Sequence, residues 1–377
     1  MLPDYPTLRF IWWLILGALL IGFAIMDGFD LGLGASFRWL GRDDAERRAL
    51  LESIEPVWDG NQVWFILAGG AVFAAWPLLY AAAFSGLYLA MFLLLVALIL
   101  RPVGFMFRNH LPARGWRAAW DWALTVGGAV PALLFGVAFG NLLLGLPFQF
   151  DALGRPAFAG GLLALLRPFA LLSGVVSLSM LILHGMTYAA MKVGPPLSMR
   201  AARLGQLAAV LFVLAFIAAG IWVAGLDGQQ LTAVDRFADS NPIHKGVALV
   251  RGGWLGNYRA HAPLWLLPGL TIAAAAAAAA LLRAARPGLA FVSSSIALAG
   301  TILTGGVALF PFLMPSATRP THGLTVWDAS SSRLTLGIML AVVVVLLPVV
   351  LLYTAWVYRV LRGRITLEAV RRAAGYH

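Results

Sequence analysis

Three carboxylates lie beside hydrophobic segments near the start of the chain. Asp27 and Asp30 come at the end of the first hydrophobic stretch, and Asp59 opens the second, next to Trp58 and three residues before Gln62. A carboxylate inside a bilayer costs roughly 3 kcal/mol, so such residues usually face a bundle interior or a water path. These residue types therefore indicate a protein that moves protons or ions.

The composition is that of an integral membrane protein. Of the 377 residues, 61% are hydrophobic and only 11% are charged, against roughly 25% charged residues in soluble domains. Long apolar runs recur along the whole chain, which leaves no room for a separate soluble domain. The chain has no cysteine, which excludes disulfides, thiolate-held iron–sulfur clusters and thiol catalysis within it.

The apolar runs predict nine membrane-spanning helices. The run from Val63 to Leu100 is too long for one crossing, which needs roughly 20 residues, so we divide it at Trp76-Pro77 into two helices joined by a tight turn. The predicted spans are 9–36, 59–76, 78–100, 118–145, 160–191, 204–226, 263–283, 289–312 and 334–359.

The loop charges predict the orientation of these spans. Eighteen arginines and lysines fall on one side of the membrane and nine on the other. Because cytoplasmic loops carry the excess of positive charge, we expect a periplasmic N-terminus, a cytoplasmic C-terminus and a long periplasmic loop over 227–262. The three carboxylates then lie towards the cytoplasmic side, which suits proton uptake from the cytoplasm.

The same carboxylates also have structural interpretations. Asp27 and Asp30, three residues apart on one helix face, could form an ion pair with Arg101 or Arg38. Asp59 could be an ordinary first-turn residue of its helix.

Two further patterns favour structural roles. The tripeptide Val57-Trp58-Asp59 recurs as Val326-Trp327-Asp328 before the last span, which favours an interfacial tryptophan and a capping aspartate at both helix starts. The pair Gly28 and Gly32 is typical of close helix packing.

Histidine placement argues against a haem held mainly by this chain. A haem within a helical bundle needs histidine or methionine ligands on facing helices. Only His184 falls within a predicted span, and we expect it to be a hydrogen-bonded helix residue. The sequence also shows no nucleotide-binding or hydrolase motif.

Several longer motifs resemble subunit II of the cytochrome bd-type quinol oxidases, and the resemblance extends over essentially the whole chain. They are Arg9-Phe10-Ile11-Trp12-Trp13, Asp27-Gly28-Phe29-Asp30, Trp58-Asp59-Gly60-Asn61-Gln62-Val63-Trp64, Phe73-Ala74-Ala75-Trp76-Pro77, Arg101-Pro102-Val103-Gly104-Phe105, Phe139-Gly140-Asn141-Leu142-Leu143, Phe310-Pro311-Phe312 and Leu324-Thr325-Val326-Trp327-Asp328-Ala329-Ser330-Ser331.

The resemblance implies an all-α membrane protein with two four-helix bundles and one peripheral helix. It implies a bacterial inner-membrane enzyme complex that oxidises quinol, reduces oxygen to water and generates a proton motive force. Haem b and haem d would be held by the partner, subunit I. A structural quinone can occupy subunit II, and small single-span accessory subunits can accompany the complex, within the membrane lipids. Asp59 matches the carboxylate of the family's proton path, with Trp58 beside it.

Two other classes of function remain open from the sequence. An ion-coupled secondary transporter would place its substrate site near the midplane at a broken helix, often within paired repeats, and we find no repeat. A purely structural assembly subunit is the other alternative.

Overall fold

The structure is a computed structural model that describes residues 3–373. The helices, in chain order, are α1 Tyr5–Met26, α2 Gly28–Leu40, α3 Asp44–Ile54, α4 Trp58–Ala75, α5 Pro77–Gly86, α6 Tyr88–Phe107, α7 Arg114–Leu144, α8 Pro168–Lys192, α9 Leu197–Gly225, α10 Gly256–Ala260, α11 Leu266–Arg283, α12 Pro287–Leu309, α13 Arg333–Val360 and α14 Leu367–Ala373. The strands are β1 Phe148–Phe150, β2 Pro156–Phe158, β3 Asp227–Ala233, β4 Gly246–Arg251, β5 Phe312–Met314 and β6 Leu324–Thr325.

Eight apolar segments in the described residues are long enough to cross a membrane, and the bent pair α4–α5 brings the number to nine. The first segment runs from Tyr5 to Leu40 and combines α1 and α2, which meet at Asp27. It begins at Asp4, whose carboxylate accepts a hydrogen bond of 2.9 Å from the backbone N–H of Thr7, as an N-cap residue does. The chain is thus an all-α integral membrane protein.

The third helix differs from the sequence prediction of one helix over 78–100. Residues Pro77–Gly86 form the separate helix α5, bent by 117° from α4, and the next helix, α6, begins only at Tyr88. Gly86 explains the break, because a Cβ atom there would lie 1.9 Å from the ring of Phe158 on β2. The glycine lets the chain turn against the β1–β2 hairpin before it enters the next span.

The helices form two groups that share a boundary along α8. The spans α1–α2, α4, α6 and α7 form the first group, and α8, α9, α11 and α12 pack together as the second. Glycines allow the close contact between the groups. A Cβ at Gly32 on α2 would lie 1.8 Å from the carbonyl oxygen of Leu181 on α8. The last span, α13, packs against α1 and α4 and is largely exposed, as a peripheral helix would be.

The two ends of the molecule differ in structure and charge. One end, which we call the hairpin end, carries the antiparallel pairs β1–β2, β3–β4 and β5–β6. The opposite end, the arginine-rich end, carries α3, α14 and the loops that hold most of the arginines. The three aspartates of the sequence analysis lie on the arginine-rich halves of their helices.

Candidate functional site: a buried polar cluster on α1, α2, α4, α6 and α13

An ion pair between α1–α2 and α6 forms the base of the cluster. Arg101 on α6 donates two hydrogen bonds to the carboxylate of Asp27, at 3.1 and 2.7 Å. Both residues are only 1% exposed. A two-point contact between a guanidinium and a carboxylate is strong and fixes their orientation. The structure therefore contains the ion pair that the sequence analysis had named as an alternative for Asp27.

Asp30 lies beside this ion pair with a weaker set of partners. One carboxylate oxygen, Oδ2, is 3.8 Å from Arg101 and accepts a hydrogen bond of 2.8 Å from the amide of Asn61. The other oxygen, Oδ1, is buried and has no hydrogen-bond partner among the described residues. The cluster thus holds two carboxylates against a single guanidinium, and one carboxylate oxygen is available to a proton or a water molecule.

Asn61 connects the carboxylates to the last spanning helix. Its carbonyl oxygen accepts a hydrogen bond of 2.7 Å from the hydroxyl of Tyr358 on α13. A chain of polar groups therefore leads from Tyr358 through Asn61 to Asp30. The sequence analysis missed both Asn61 and Tyr358 as site residues. The signal for Asn61 was its place within the Trp58–Trp64 motif, whereas no local signal marked Tyr358.

Aromatic rings pack around the buried cluster. Phe29 stacks on Tyr188 with ring centroids 3.9 Å apart, and the ring of Tyr358 lies 6.5 Å from that of Phe29. The hydroxyl of Tyr188 donates to the backbone carbonyl of Ser53, at 2.7 Å, where the α3 helix ends. In such a low-dielectric environment the interactions between the charged groups are stronger than they would be in water.

Asp59 lies on a different side of α4 from Asn61. Side chains two positions apart in an α-helix point in directions that differ by about 200°. Because Asn61 points to Asp30, Asp59 points away from the cluster. It is exposed and has no recorded hydrogen bond or ion pair among the described residues. Its neighbour Trp58 is half-buried and packs against Phe105 of α6, with ring centroids 5.7 Å apart. Gln62 is half-buried as well.

The structure therefore does not gather the sequence-predicted residues into one group. Asp27 and Asp30 lie together in the buried cluster, whereas Asp59 faces outward on α4, with Trp58 and Gln62 half-buried on the same helix. All of them belong to the arginine-rich half of the molecule.

The repeated tripeptide Val326-Trp327-Asp328 has a different role from the one that its sequence favoured. Asp328 does not cap α13, which begins at Arg333 after the N-cap Ser332. Instead, Oδ1 of Asp328 accepts the backbone N–H of Thr325 at 2.9 Å, and Oδ2 lies 2.7 Å from the ammonium of Lys245. The expectation of a capping aspartate was wrong because the tripeptide ends in a loop, several residues before the helix.

His184 is a hydrogen-bonded helix residue, as the sequence predicted. Its Nδ1 lies 2.8 Å from the hydroxyl of Ser294 and its Nε2 lies 2.9 Å from the carbonyl oxygen of Ile25. Since both ring nitrogens already have partners, this histidine does not fit the role of an axial haem ligand.

Ion pairs at the arginine-rich end fix the helices around the cluster. Arg108, the residue that follows α6, bonds to Asp121 on α7 at 2.6 Å and to Asp44 on α3 at 3.0 Å. Arg47 on α3 also reaches Asp121, at 2.7 Å. Asp121 and Arg108 are buried, so removing one partner alone would leave an unpaired buried charge.

Comparison with known proteins identifies the family. The sequence model described as cytochrome bd terminal oxidase subunit II matches residues 8–361. The chain belongs to the cytochrome bd terminal oxidase subunit II family. It is 50% identical to cytochrome bd-I ubiquinol oxidase subunit 2 of Escherichia coli K12, covering 98% of both chains. The cytochrome bd ubiquinol oxidase subunit 2 of Bacillus subtilis is 30% identical over 96% of this chain and 97% of its own.

The fold of this chain is also similar to that of a chain in a solved structure. The structure described as bd oxidase from Geobacillus thermodenitrificans superposes with a TM-score of 0.69, at 16% identity, covering 94% of this chain and 98% of the other. Membership of the family places the chain in a multi-pass inner-membrane oxidoreductase complex that contains haem and a subunit I partner.

Proposed function

We propose that this subunit II supports the haem-bearing subunit I and supplies it with protons from the cytoplasm. The observation that carries the proposal is Asp59, an unpaired carboxylate exposed on a helix face that is otherwise apolar. A carboxylate facing lipid would be costly, so this face of α4 requires a polar partner. Subunit I would cover it and receive protons there.

Five exposed residues of α4 are spaced as one helix face. They follow at intervals of three or four residues, which is the spacing of neighbours on a helix: Asp59, Val63, Ile66, Gly70 and Phe73. An apolar face with one carboxylate at its arginine-rich end fits a partner membrane protein with a polar group at the matching depth.

In this proposal the residues divide the work of proton uptake. Asp59, with Trp58 and Gln62 beside it, holds the proton at the boundary with subunit I. Asp30 takes up and releases a proton at its unpartnered oxygen, and the Asn61–Tyr358 hydrogen bonds fix its position. Asp27 keeps its two-point contact with Arg101 and holds α6 against α1–α2.

The orientation follows from charge. The arginine-rich end would face the cytoplasm and the hairpin end the periplasm, with the N-terminus periplasmic and the C-terminus cytoplasmic. Quinol oxidation that releases protons outside and oxygen reduction that consumes protons from inside would then generate the membrane potential. Haem b and haem d would be held in subunit I, and a structural quinone in this subunit belongs to the same proposal.

The experiment is the substitution Asp59→Asn in the assembled oxidase, with Glu55→Gln as a matched control. Glu55 is also an exposed carboxylate at the same end, just before α4. We expect Asp59→Asn to leave the haem absorbance unchanged and to lower quinol-driven oxygen consumption at least about tenfold, since a positioned proton carrier contributes a factor of this size or more. The control should behave as the wild type.

Normal turnover of Asp59→Asn would overturn the proton-path role and leave Asp59 as a first-turn residue. The alternative of an ion-coupled transporter predicts a complex without haem absorbance, and membership of the oxidase family does not favour it.

A further inference from the structure

A polar cavity lies at the hairpin end, between β3 and the end of α12. Its volume is about 510 Å³, within the range of small-molecule sites, roughly 300–1,000 Å³. The side chains of Gln230, Arg236, Asn257 and Trp327 line it. Among the lining residues in the described part of the chain there is one cation and no carboxylate, so the cavity favours an anion.

Hydrogen bonds hold the wall of this cavity in place. The amide of Asn257, on α10, donates to the carbonyl oxygens of Val307 and Phe310, at 2.8 and 2.7 Å. These bonds join α10 to the end of α12. Because the wall is already fixed, less conformational entropy is lost from the site when a ligand binds.

Arg236 lines the cavity, and its guanidinium forms no ion pair with a carboxylate among the described residues. The guanidinium carbon lies 4.9 Å from the ring centroid of Trp327, within the range of a cation–π contact. The carboxylate of the adjacent Asp235 accepts the backbone N–H groups of Phe237 and Ala238 instead, at 2.9 and 3.3 Å. A free guanidinium with planar donors matches the oxygens of a phosphate.

A path of aromatic rings leads from the cavity to the exposed surface of α1. The ring of Phe310 lies 5.9 Å from Trp327 and 4.9 Å from Trp13, and Trp13 stacks on Phe10 at 5.8 Å. One turn further along α1, Gly17 has no atom within 4 Å of the position of a Cβ. The surface of α1 is therefore open at Gly17, where the tail of a lipid would pass.

From these features we propose that the cavity binds the phosphate head group of an anionic phospholipid. Arg236 contacts the phosphate, the polar wall contacts the glycerol, and an acyl chain follows Trp13 and Gly17 into the membrane. Aromatic residues at this depth are typical of the boundary between head groups and acyl chains, and basic pockets beside helices are typical lipid head-group sites. The aromatic path is what favours a lipid over a soluble phosphate compound. The proposal does not depend on the proton path.

The test is native mass spectrometry of the purified, assembled oxidase after detergent exchange and titration with phosphatidylglycerol. We expect one tightly held phosphatidylglycerol, with affinity at least about tenfold lower in Arg236→Ala. The matched control is Arg251→Ala, which removes another exposed arginine of the same end, one that does not line the cavity. The control should retain the lipid. Equal retention by wild type and Arg236→Ala would overturn the proposal.

A second variant tests the acyl path without changing the head-group pocket. Gly17→Leu places a bulky side chain in the open space beside α1 and should weaken phosphatidylglycerol binding severalfold, whereas unchanged binding would contradict the lipid assignment. Glycerol phosphate and uncharged diacylglycerol are the competing ligands. If either displaces phosphatidylglycerol at equal concentration, the site recognises a soluble phosphate or an apolar chain alone, and the proposal fails. Retention of a quinone in place of the lipid would also overturn it.

Discussion

At the scale of single residues, Asp27 and Asp30 are neighbours in the same buried cluster with different partners. Asp27 satisfies both oxygens with Arg101, at 3.1 and 2.7 Å. Asp30 leaves one buried oxygen without a partner among the described residues. Their spacing in the sequence suggested a shared role, but the position of Arg101 gives the two carboxylates different partners.

Substitution of the two aspartates should therefore give different results. Asp27→Asn breaks the two-point contact with Arg101 and leaves the guanidinium only the carboxylate of Asp30, at 3.8 Å. Loss of one partner of a buried ion pair costs about 3–5 kcal/mol, so we expect little assembled oxidase. Asp30→Asn keeps the shape of the side chain and the contact with Asn61, so we expect an assembled, haem-containing complex with at least about tenfold slower oxygen consumption.

The measurements are the yield of haem absorbance per milligram of membrane protein and the quinol oxidase rate. Asp30→Glu serves as the control, because it restores a carboxylate and should recover part of the rate. Full activity of Asp30→Asn would exclude Asp30 from the proton path. Normal assembly of Asp27→Asn would contradict the structural role of the ion pair.

The stability of the hairpin end depends on pH through His322. Its Nδ1 accepts the backbone N–H of Phe150 at 2.9 Å, which requires that nitrogen to be unprotonated. Burial, and then the positive charges of Arg319 and Lys245, hold the pKa of His322 below its ordinary value of 6.5. Lys245 itself pairs with Asp328, at 2.7 Å.

A lowered pKa means that the folded state binds the proton less readily than the unfolded state. The stabilisation by this contact is complete above pH 6.5 and is lost as the pH falls through the folded pKa. We expect the melting temperature of the oxidase to fall on acidification to pH about 5, by roughly 2 °C more in the wild type than in His322→Asn. Asn keeps an acceptor for Phe150 but does not titrate. Equal decreases in both proteins would contradict this role.

At the scale of elements, glycine decides where the two helix groups meet. A Cβ at Gly32 would lie 1.8 Å from the carbonyl oxygen of Leu181, so even an alanine forces α2 and α8 apart. We expect Gly32→Ala to cost about 3 kcal/mol and to reduce the amount of assembled complex and its melting temperature. The control is Gly220→Ala on α9, where nothing lies within 4 Å of the added Cβ. Stability equal to the control would show that the groups can separate without cost.

The sequence predicted which segments form helices better than it predicted where those helices begin and end. Apolar length and the arginine loops predicted helices on both sides of Trp76-Pro77, and the chain bends at that point by 117°. The second break, before Tyr88, depends on contact between Gly86 and Phe158, residues far apart in the chain. A local pattern does not contain such a contact, so the single predicted helix over 78–100 was wrong.

The residues of the candidate site were also only partly predictable from the sequence. The aspartates and His184 could be found from residue type within apolar segments, because burial of a polar group always needs a partner. The ion-pair partner of Asp27 could be predicted only as one of two arginines, Arg101 or Arg38. Asn61 and Tyr358 lie 297 positions apart, and Asp328 was misread because a tripeptide does not show whether a helix follows directly.

At the scale of the whole molecule, the proposed direction of proton uptake depends on the uneven distribution of arginine between the two ends. The arginine-rich end holds Asp30 and Asp59, and the hairpin end holds the proposed lipid site. If the arginine-rich end faces the cytoplasm, uptake begins on the side from which oxygen reduction must draw its protons. The reverse orientation would place the same carboxylates on the periplasmic side and remove the physical basis of the proposed path.

The chain allows a direct test of this orientation because it contains no cysteine. Leu153→Cys places a thiol in the turn between β1 and β2, where the leucine is 75% exposed. Arg286→Cys places one in the exposed turn between α11 and α12, at the other end. Both variants leave the buried cluster untouched. We expect a membrane-impermeant maleimide added to intact spheroplasts to label only Leu153→Cys, and to label Arg286→Cys only in inverted vesicles. The opposite labelling pattern would reverse the orientation and exclude proton uptake from the cytoplasm through Asp59.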